Sequence, residues 1–238
     1  MHAWEAVQKS VDYIEEHLQE NIRAEALAEI IGLSPFYFQR LFKRLVNKPL
    51  QEYVKLRRLA KAVEALNTEN QRILDVALDY GFASHANFTR AFKGAFGITP
   101  EAYKKNRPFL NTFVKPEVSM AYVMVDENVP LIVGNIVLEI RRERIHAPEL
   151  YLGLSTDVSI IEQTPVGEST GVDIPGQLWK RYHQEKAAIE KYVQPNVELG
   201  MSYSANMEKG TFSYFAGGLA KTVPENLSGG FVQHELPA

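Results

Sequence analysis

The first half of the chain has the apolar spacing of helices. Its N-terminal stretch carries apolar side chains three or four positions apart, at Trp4, Val7, Val11, Ile14 and Leu18. This spacing predicts an amphipathic helix. Three further helices are predicted over residues 24–31, 35–46 and 50–66. Gly32 stands where a glycine commonly ends a helix, and Pro49 opens the last of the three.

The second half is rich in β-forming residues. Strands are predicted for the runs YVMV, NIVLEIRRERI, ELYLGLS, LGMSYS, TFSYFAG and GFVQHEL. One helical run, PGQLWKRYHQEKAAIEKY, interrupts them. Pro108 and Pro116 bracket a predicted linker. The predicted fold class is therefore multi-domain: an all-α domain followed by an α+β domain with an antiparallel sheet.

The helical half contains an internal repeat. ALAEIIGLSPFYFQRLFKRLVNKPLQEY aligns with DVALDYGFASHANFTRAFKGAFGITPEAY at an offset of 49 before the turn and 50 after it. Gly32 matches Gly81, and Tyr53 matches Tyr103. Each copy predicts a short helix, a glycine-containing turn and a second short helix, which is the plan of a helix-turn-helix. The first domain is therefore predicted to hold two such units joined by a long helix.

The second helix of each copy divides into two faces. Its predicted core stripe is Phe38, Leu41, Phe42 and Leu45 in the first copy, and Phe88, Ala91, Phe92 and Ala95 in the second. The predicted outward residues are Phe36, Gln39, Arg40, Lys43 and Arg44, then His85, Ala86, Asn87, Thr89, Arg90 and Lys93. Arg, Gln and Asn suit base edges, and Lys suits phosphates. One such helix alone is more simply a solvated surface, but its repetition favours DNA binding.

Composition and charge further limit the classes of protein to which this chain can belong. The net charge of −3 divides into +4 for residues 1–115 and −7 for residues 116–238. A basic half is suited to a polyanion. The chain has no Cys, so thiolate chemistry and disulfides are excluded. It shows neither a signal peptide nor an apolar run of the ~20 residues that span a bilayer, so we expect a cytoplasmic protein.

Residues 1–107 resemble the AraC/XylS family of bacterial transcription regulators. The resemblance rests mainly on the second copy, at Ile73, Asp75, Val76, Ala77, Gly81-Phe82, Ser84, Phe88, Arg90, Phe92-Lys93, Gly97, Thr99-Pro100 and Tyr103. It implies that the helices near 35–45 and 84–95 read two adjacent major-groove segments. The implied base contacts are Phe36, Gln39, Arg40, His85, Asn87 and Arg90, and the implied phosphate contacts are Lys43, Arg44 and Lys93. Promoter DNA and RNA polymerase are the implied partners, and activation the implied role.

The second half is similar to the GyrI-like effector-binding domain. The similarity rests on LWKRYHQEKAAI, YFAGG and FVQHELPA, and it implies binding of an amphipathic or cationic small molecule. The implied ligand contacts are Trp179, Tyr182, Tyr203, Tyr214, Phe215, Glu185 and Glu198. Because the resembling domain continues beyond the last strand seen in this sequence, we expect this domain to be truncated or naturally short.

These observations give three predicted segments: a DNA-binding domain over 1–107, a linker over 108–117 and an effector-binding domain over 118–238. We expect a monomer or a weak dimer, with no cofactor, catalytic residue or metal site. Two alternatives stay open. One is a DNA-binding protein without an effector, and the other is a GyrI-like small-molecule hydrolase fused to a DNA-binding domain. The second would need a paired acid and base in a pocket. His146 and His183 are the candidate histidines for such a pocket, although a surface or hydrogen-bonded structural histidine is the more common case.

Overall fold

The chain folds into two compact units. A computed structural model describes residues 3–68, 71–118, 128–133, 136–139, 141, 145–159, 169–206, 208–224, 226–227 and 229–237. The first unit comprises the described residues of 3–118 together with 169–172, and the second comprises the rest. The predicted strand YVMV lies outside the described residues, as does part of NIVLEIRRERI. No helix in the described ranges is long and apolar enough to cross a membrane.

The first unit contains seven α-helices among its described residues. They are α1 (Ala3–Glu16), α2 (Ala24–Ile30), α3 (Pro35–Val46), α4 (Leu50–Leu66), α5 (Ile73–Asp79), α6 (His85–Phe96) and α7 (Pro100–Asn106). The second helix of each copy, α3 or α6, begins with the same serine N-cap. The Ser34 hydroxyl accepts from the Tyr37 N–H at 3.3 Å, and the Ser84 hydroxyl accepts from the Asn87 N–H at 3.2 Å. Each serine satisfies an N–H that has no partner inside its helix.

Two hydrophobic cores share the central helix α4. Each is built on a pair of buried rings from the repeat, Phe38 and Phe42 in the first core and Phe88 and Phe92 in the second. The first part of α4 contributes buried residues to the first core, namely Leu50, Tyr53, Val54 and Leu56. Its later part contributes Leu59, Ala62, Val63 and Leu66 to the second. The predicted core stripes of α3 and α6 are thus confirmed, with Leu41, Leu45, Ala91 and Ala95 partly buried against the same cores.

A buried ion pair ties α1 to α4. The Arg57 guanidinium donates to both carboxylate oxygens of Glu15, at 2.8 and 2.7 Å, and also to the Phe113 carbonyl. The Tyr53 hydroxyl donates to Glu15 at 2.8 Å. Burial by itself lowers the pKa of Arg57, but the bonds to Glu15 outweigh it and raise that pKa. Burial also raises the pKa of Tyr53, and the Glu15 charge raises it further.

The segment predicted as a linker lies against the first unit. Phe113 and Val118 are buried in the first core, where the Phe113 ring centre lies 5.8 Å from that of Tyr53. The Val118 N–H donates to the Gln8 side chain at 2.8 Å. A two-residue strand, β1 (Leu110–Asn111), pairs antiparallel with β5 (Gly171–Val172). Residues 108–118 are therefore part of the packing of this unit and do not run free between domains.

The second unit is an antiparallel sheet with a helix on one face. Its four strands are β4 (Glu149–Ser159), β6 (Val193–Asn206), β7 (Thr211–Ala220) and β8 (Val232–Leu236), in the order β6-β7-β4-β8. A separate hairpin pairs β2 (Leu131–Val133) with β3 (Ile136–Leu138). Leu178 and Tyr182 of helix α8 (Ile174–Glu185) pack on Leu152 and Leu154 of β4.

The helix of the second unit is shorter than its sequence pattern predicts. The helical run extends to Tyr192, but α8 ends at Glu185 and two 3₁₀ turns follow, Lys186–Ala188 and Glu190–Tyr192. Ile189 is buried between those turns, and the Tyr192 carbonyl accepts from the Lys221 N–H at 2.7 Å. These tertiary contacts turn the chain into β6 and override the local helix propensity.

The buried ion pair gives a stability prediction. Arg57→Ala leaves the Glu15 carboxylate buried without its cation, so we expect the free energy of unfolding of the first unit to fall by about 3–5 kcal/mol. The exposed pair Lys55–Glu52 supplies the control, and Lys55→Ala should cost about 1 kcal/mol or less. Urea unfolding in a Trp179→Phe background, followed by Trp4 fluorescence, measures both. Equal losses for the two variants would contradict the central role of Arg57.

Thr89 gives a second stability prediction, in which the substitution should increase the free energy of unfolding. The outward pattern of α6 placed it in solvent, but it is partly buried, and its hydroxyl oxygen has no hydrogen-bond partner among the described residues. Thr89→Val removes an unpaired polar group at nearly constant shape, so we expect a gain of about 1 kcal/mol in unfolding free energy. Thr99 caps α7 by accepting from the Ala102 N–H, and Thr99→Val should lose about 1 kcal/mol. A destabilised Thr89→Val variant in the same urea assay would show that the hydroxyl is satisfied.

Candidate nucleic-acid interface

The outward face of α3 is solvent-exposed along its whole length. All five predicted contact residues on it are exposed: Phe36, Gln39, Arg40, Lys43 and Arg44. Phe36 retains 72% of its accessible surface, an unusual exposure for a phenylalanine. The guanidinium carbon of Arg40 lies 5.7 Å from the centre of the Phe36 ring, one helical turn away. Phe36 therefore supports the Arg40 side chain as well as presenting its own ring.

The outward face of α6 is exposed in the same way. Its predicted contact residues His85, Asn87, Arg90 and Lys93 are all exposed, as is Ala86. The His85 Nε2 atom lies 3.1 Å from a carboxylate oxygen of Glu101 on α7. His85 thus lies beside a carboxylate of a second helix.

The charged side chains of α3 and α6 differ from those of α4. Neither α3 nor α6 contains an Asp or a Glu. Arg40, Lys43, Arg44, Arg90 and Lys93 have no carboxylate partner within the described part of the chain. On α4, by contrast, Lys55 pairs with Glu52, Arg57 with Glu15 and Lys61 with Glu64. The two outward faces therefore carry uncompensated positive charge that favours a polyanion.

A cavity of about 390 Å³ lies where α6 meets the start of α4. Arg90 lines it together with Lys48, Lys55 and Glu52. The sequence pattern of α6 identified Arg90 but not the two lysines, because they approach it from residues that lie some forty positions earlier in the chain. Arg90 therefore lies at the edge of the outward face of α6, and Lys48 and Lys55 line the same cavity.

The candidate ligand residues of the second unit do not form one cluster. Trp179 and Tyr214 lie on the α8 face of the sheet, where the indole N–H donates to the Tyr214 hydroxyl at 3.1 Å. Tyr203 and Phe215 lie on the opposite face, and both contact His234. The rings of Tyr182 and Phe215 are buried, at 1% and 0% exposure, so each serves the packing of its face.

The two candidate carboxylates already have partners. Glu185 pairs with Arg181 along α8 at 2.9 Å, and Glu198 lies 3.1 Å from Lys186 and 3.7 Å from His183. Glu198 and Tyr182 nevertheless line the same cavity, of about 260 Å³, beside the irregular part of β6. Burial raises the pKa of Tyr182 to about 12, and the Glu198 charge adds to the shift. Of the seven candidates, the structure places these two at one opening.

Sequence reasoning missed the supporting residues of the interface. The Phe36–Arg40 contact has a signal in the sequence, since residues four apart meet on a helix. Glu101 has none, because its contact with His85 depends on how α7 packs against α6.

Comparison with known proteins places the first unit in a family. A sequence model described as a helix-turn-helix domain matches residues 27–106. The uncharacterized HTH-type transcriptional regulator YbfP of Bacillus subtilis is 41% identical over 113 residues, covering 48% of this chain and 37% of YbfP. The HTH-type transcriptional activator AarP of Providencia stuartii is 35% identical over 92 residues, covering 39% of this chain and 68% of AarP.

Among solved structures, a transcriptional regulator from Chromobacterium violaceum with an AraC-type DNA-binding domain is similar to part of this chain. It is 25% identical, covers 43% of this chain and 92% of that chain, and has a TM-score of 0.42. The alignment with YbfP spans little more than a third of the length of YbfP. Through its duplicated helix-turn-helix, this chain belongs to the AraC family of DNA-binding transcription regulators.

Proposed function

We propose that the chain regulates transcription by inserting α3 and α6 into two successive major-groove segments of one promoter. The observation that carries this proposal is the charge of the two outward faces, whose five cations lack carboxylate partners among the described residues, whereas Lys55, Arg57 and Lys61 of α4 are paired. An unpaired cation loses little on approaching a phosphate and releases a counterion from the DNA.

The length of α4 fits this arrangement. Its 17 residues span about 25 Å at about 1.5 Å per residue. Successive major-groove faces on one side of B-DNA lie about 34 Å apart. One chain therefore reaches two adjacent grooves when the duplex bends toward it, and it requires no second copy. A monomer is accordingly the proposed DNA-binding form.

Each exposed side chain has a proposed role in this arrangement. Arg40 and Arg90 contact guanine, and Gln39 and Asn87 contact adenine. Phe36 supports Arg40 and meets a thymine methyl, while His85, which lies beside Glu101, reads a base. Lys43, Arg44 and Lys93 bind phosphates.

The proposed effect on transcription is activation through contact with RNA polymerase. The support is that AarP, to which this chain is similar, is a transcriptional activator. DNA recognition needs only the first unit, which leaves the second unit available for control.

The proposed control is the binding of an amphipathic or cationic small molecule in the second unit. Support comes from the cavity that Tyr182 and Glu198 line, since the Glu198 carboxylate would attract an organic cation there. Lys186 occupies that carboxylate at 3.1 Å, so a cationic ligand would compete with it. The second unit is also the acidic part of the chain, which raises the local concentration of cations.

Substitutions on the two outward faces test the DNA proposal. On a duplex of about 20 base pairs that the wild-type chain selects from a random pool, Arg40→Ala or Arg90→Ala should each weaken binding by about 1–3 kcal/mol and relax base preference at one position. Lys43→Ala or Lys93→Ala should weaken binding to every duplex and reduce the slope of log affinity against log salt by about one. Lys9→Ala, an exposed cation on α1, is the control. Unchanged affinity in all four variants would refute the docking arrangement.

Titration with benzyltrimethylammonium tests the ligand proposal. In a Trp4→Phe background, Trp179 reports on the cavity because its ring centre lies 5.7 Å from that of Tyr182. Lys186→Ala removes the competing cation and should tighten binding by about three- to tenfold, whereas Glu198→Gln should weaken it by a similar factor. Glu185→Gln, which alters a carboxylate outside the cavity, is the control. Identical affinities in the three variants would exclude this cavity as the cation site.

A further inference from the structure

Arg58 lies on α4 where the helix passes from the first core to the second. Leu56 packs in the first core and Leu59 in the second. The Arg58 guanidinium donates from Nε to the Leu18 carbonyl at 2.8 Å and from Nη2 to the Glu20 carbonyl at 2.5 Å. Its Nη1 atom lies 3.5 Å from the Gly81 carbonyl oxygen. One side chain thus joins the segment that follows α1 to the turn that follows α5.

The partners of Arg58 are backbone carbonyls of the segments that follow α1 and α5. Backbone carbonyls outside regular secondary structure need other donors, and a guanidinium can supply them. Arg58 has no carboxylate partner among the described residues, unlike its neighbour Arg57. Burial lowers the pKa of Arg58, and the planar fork of donors suits several carbonyls at once. Its contacts are therefore positional and independent of any acidic side chain.

Gly81 suits this point for two reasons, and a side chain there would displace the Arg58 guanidinium. Its φ of +72° is in the left-handed region, and a Cβ atom there would lie 2.8 Å from Nη1 and 2.9 Å from Cζ of Arg58. The matching glycine of the first copy, Gly32, has a φ of +70° but open space around the position of its Cβ. The first glycine serves its turn alone, whereas the second also makes room for the guanidinium.

We propose that Arg58 and Gly81 form a clasp that fixes the orientation of α6 relative to α3, and so sets the spacing of the two DNA segments that the chain recognises. This inference rests on the proposed function. Neither residue lies on the outward face of α3 or α6, so Arg58 is a positioning residue. Without the clasp, α4 still joins the two cores, but the turn before α6 loses its contact with the segment that follows α1, so small changes in the angle of α6 cost less free energy.

Loss of the Arg58–Gly81 contact should weaken the coupling between DNA binding by α3 and DNA binding by α6. When two recognition elements are held rigidly, binding of the second is intramolecular and its effective concentration is high. That advantage falls if the geometry is no longer matched to the DNA. A loosened clasp should lower affinity for the complete site and make the chain tolerant of altered spacing, while binding to a single segment is preserved.

The experiment compares Gly81→Ala with Gly32→Ala, which impose the same backbone strain. The probes are the wild-type-selected duplex, the same duplex with one base pair inserted or deleted between its two segments, and a duplex whose α6 segment is scrambled. We expect Gly81→Ala to bind the selected duplex about tenfold more weakly than Gly32→Ala does, with a clearly smaller penalty for altered spacing. Both variants should bind the scrambled duplex within about twofold of wild type.

Arg58→Lys provides a second route that leaves both turns intact. It keeps the charge but cannot reach three carbonyls, so it should reproduce the tolerance of altered spacing. The double variant Arg58→Lys/Gly81→Ala should lose less affinity than the sum of the two single losses, because both substitutions remove the Arg58–Gly81 contact. Circular dichroism melting of each chain shows which variants are folded, and Arg58→Lys stands as the test if Gly81→Ala is not.

Two results would overturn the clasp while leaving the proposed function intact. One is an equal spacing penalty in Gly81→Ala, Gly32→Ala and Arg58→Lys, and the other is additive loss in the double variant. A wild-type chain that binds the selected and scrambled duplexes equally would instead refute the proposed two-segment recognition, and the clasp with it.

Discussion

Burial of α4 on both of its halves is the constraint on which the helical unit depends. Tyr53 and its neighbours fill the first core, and Leu59 and its neighbours fill the second, so α4 cannot shift against either copy without opening a core. The Glu15–Arg57 pair closes the first core where α1 and α4 meet. A helix-turn-helix of this size cannot bury its apolar face alone, and each copy uses the shared helix as its missing wall.

The two copies share a backbone plan but differ in the surfaces they present. In the first, the exposed Phe36 ring supports Arg40, so an apolar and a cationic group act together. In the second, His85 lies 3.1 Å from Glu101, and Arg90 lines a cavity together with Lys48 and Lys55. The duplication therefore supplies two similar frames with different exposed side chains.

The second unit differs from the first in having buried side chains on both faces of a sheet. Its sheet buries Tyr182 of α8 on one face and Phe215 on the other, so these two fully buried aromatic side chains serve packing on separate sides. Polar side chains are grouped beside the irregular part of β6, where Glu198, Lys186 and Tyr182 line one cavity. The Glu198 carboxylate with its Lys186 partner is a more specific feature than the aromatic content of this unit.

Local pattern was sufficient to predict the helices, the repeat and the division of α3 and α6 into buried and exposed faces. Helix capping and apolar periodicity act between residues three or four apart, so they can be recognised from nearby positions such as Ser34 and Tyr37.

Only the tertiary structure decided the packing of residues 108–118, the end of α8 and the separation of the candidate ligand residues onto two faces. The partners of Arg57, Arg58 and His85 were decided in the same way. These contacts join residues that are remote in sequence, such as Arg57 with Glu15 and Arg58 with Leu18, and they exist because two cores fix where separate segments meet.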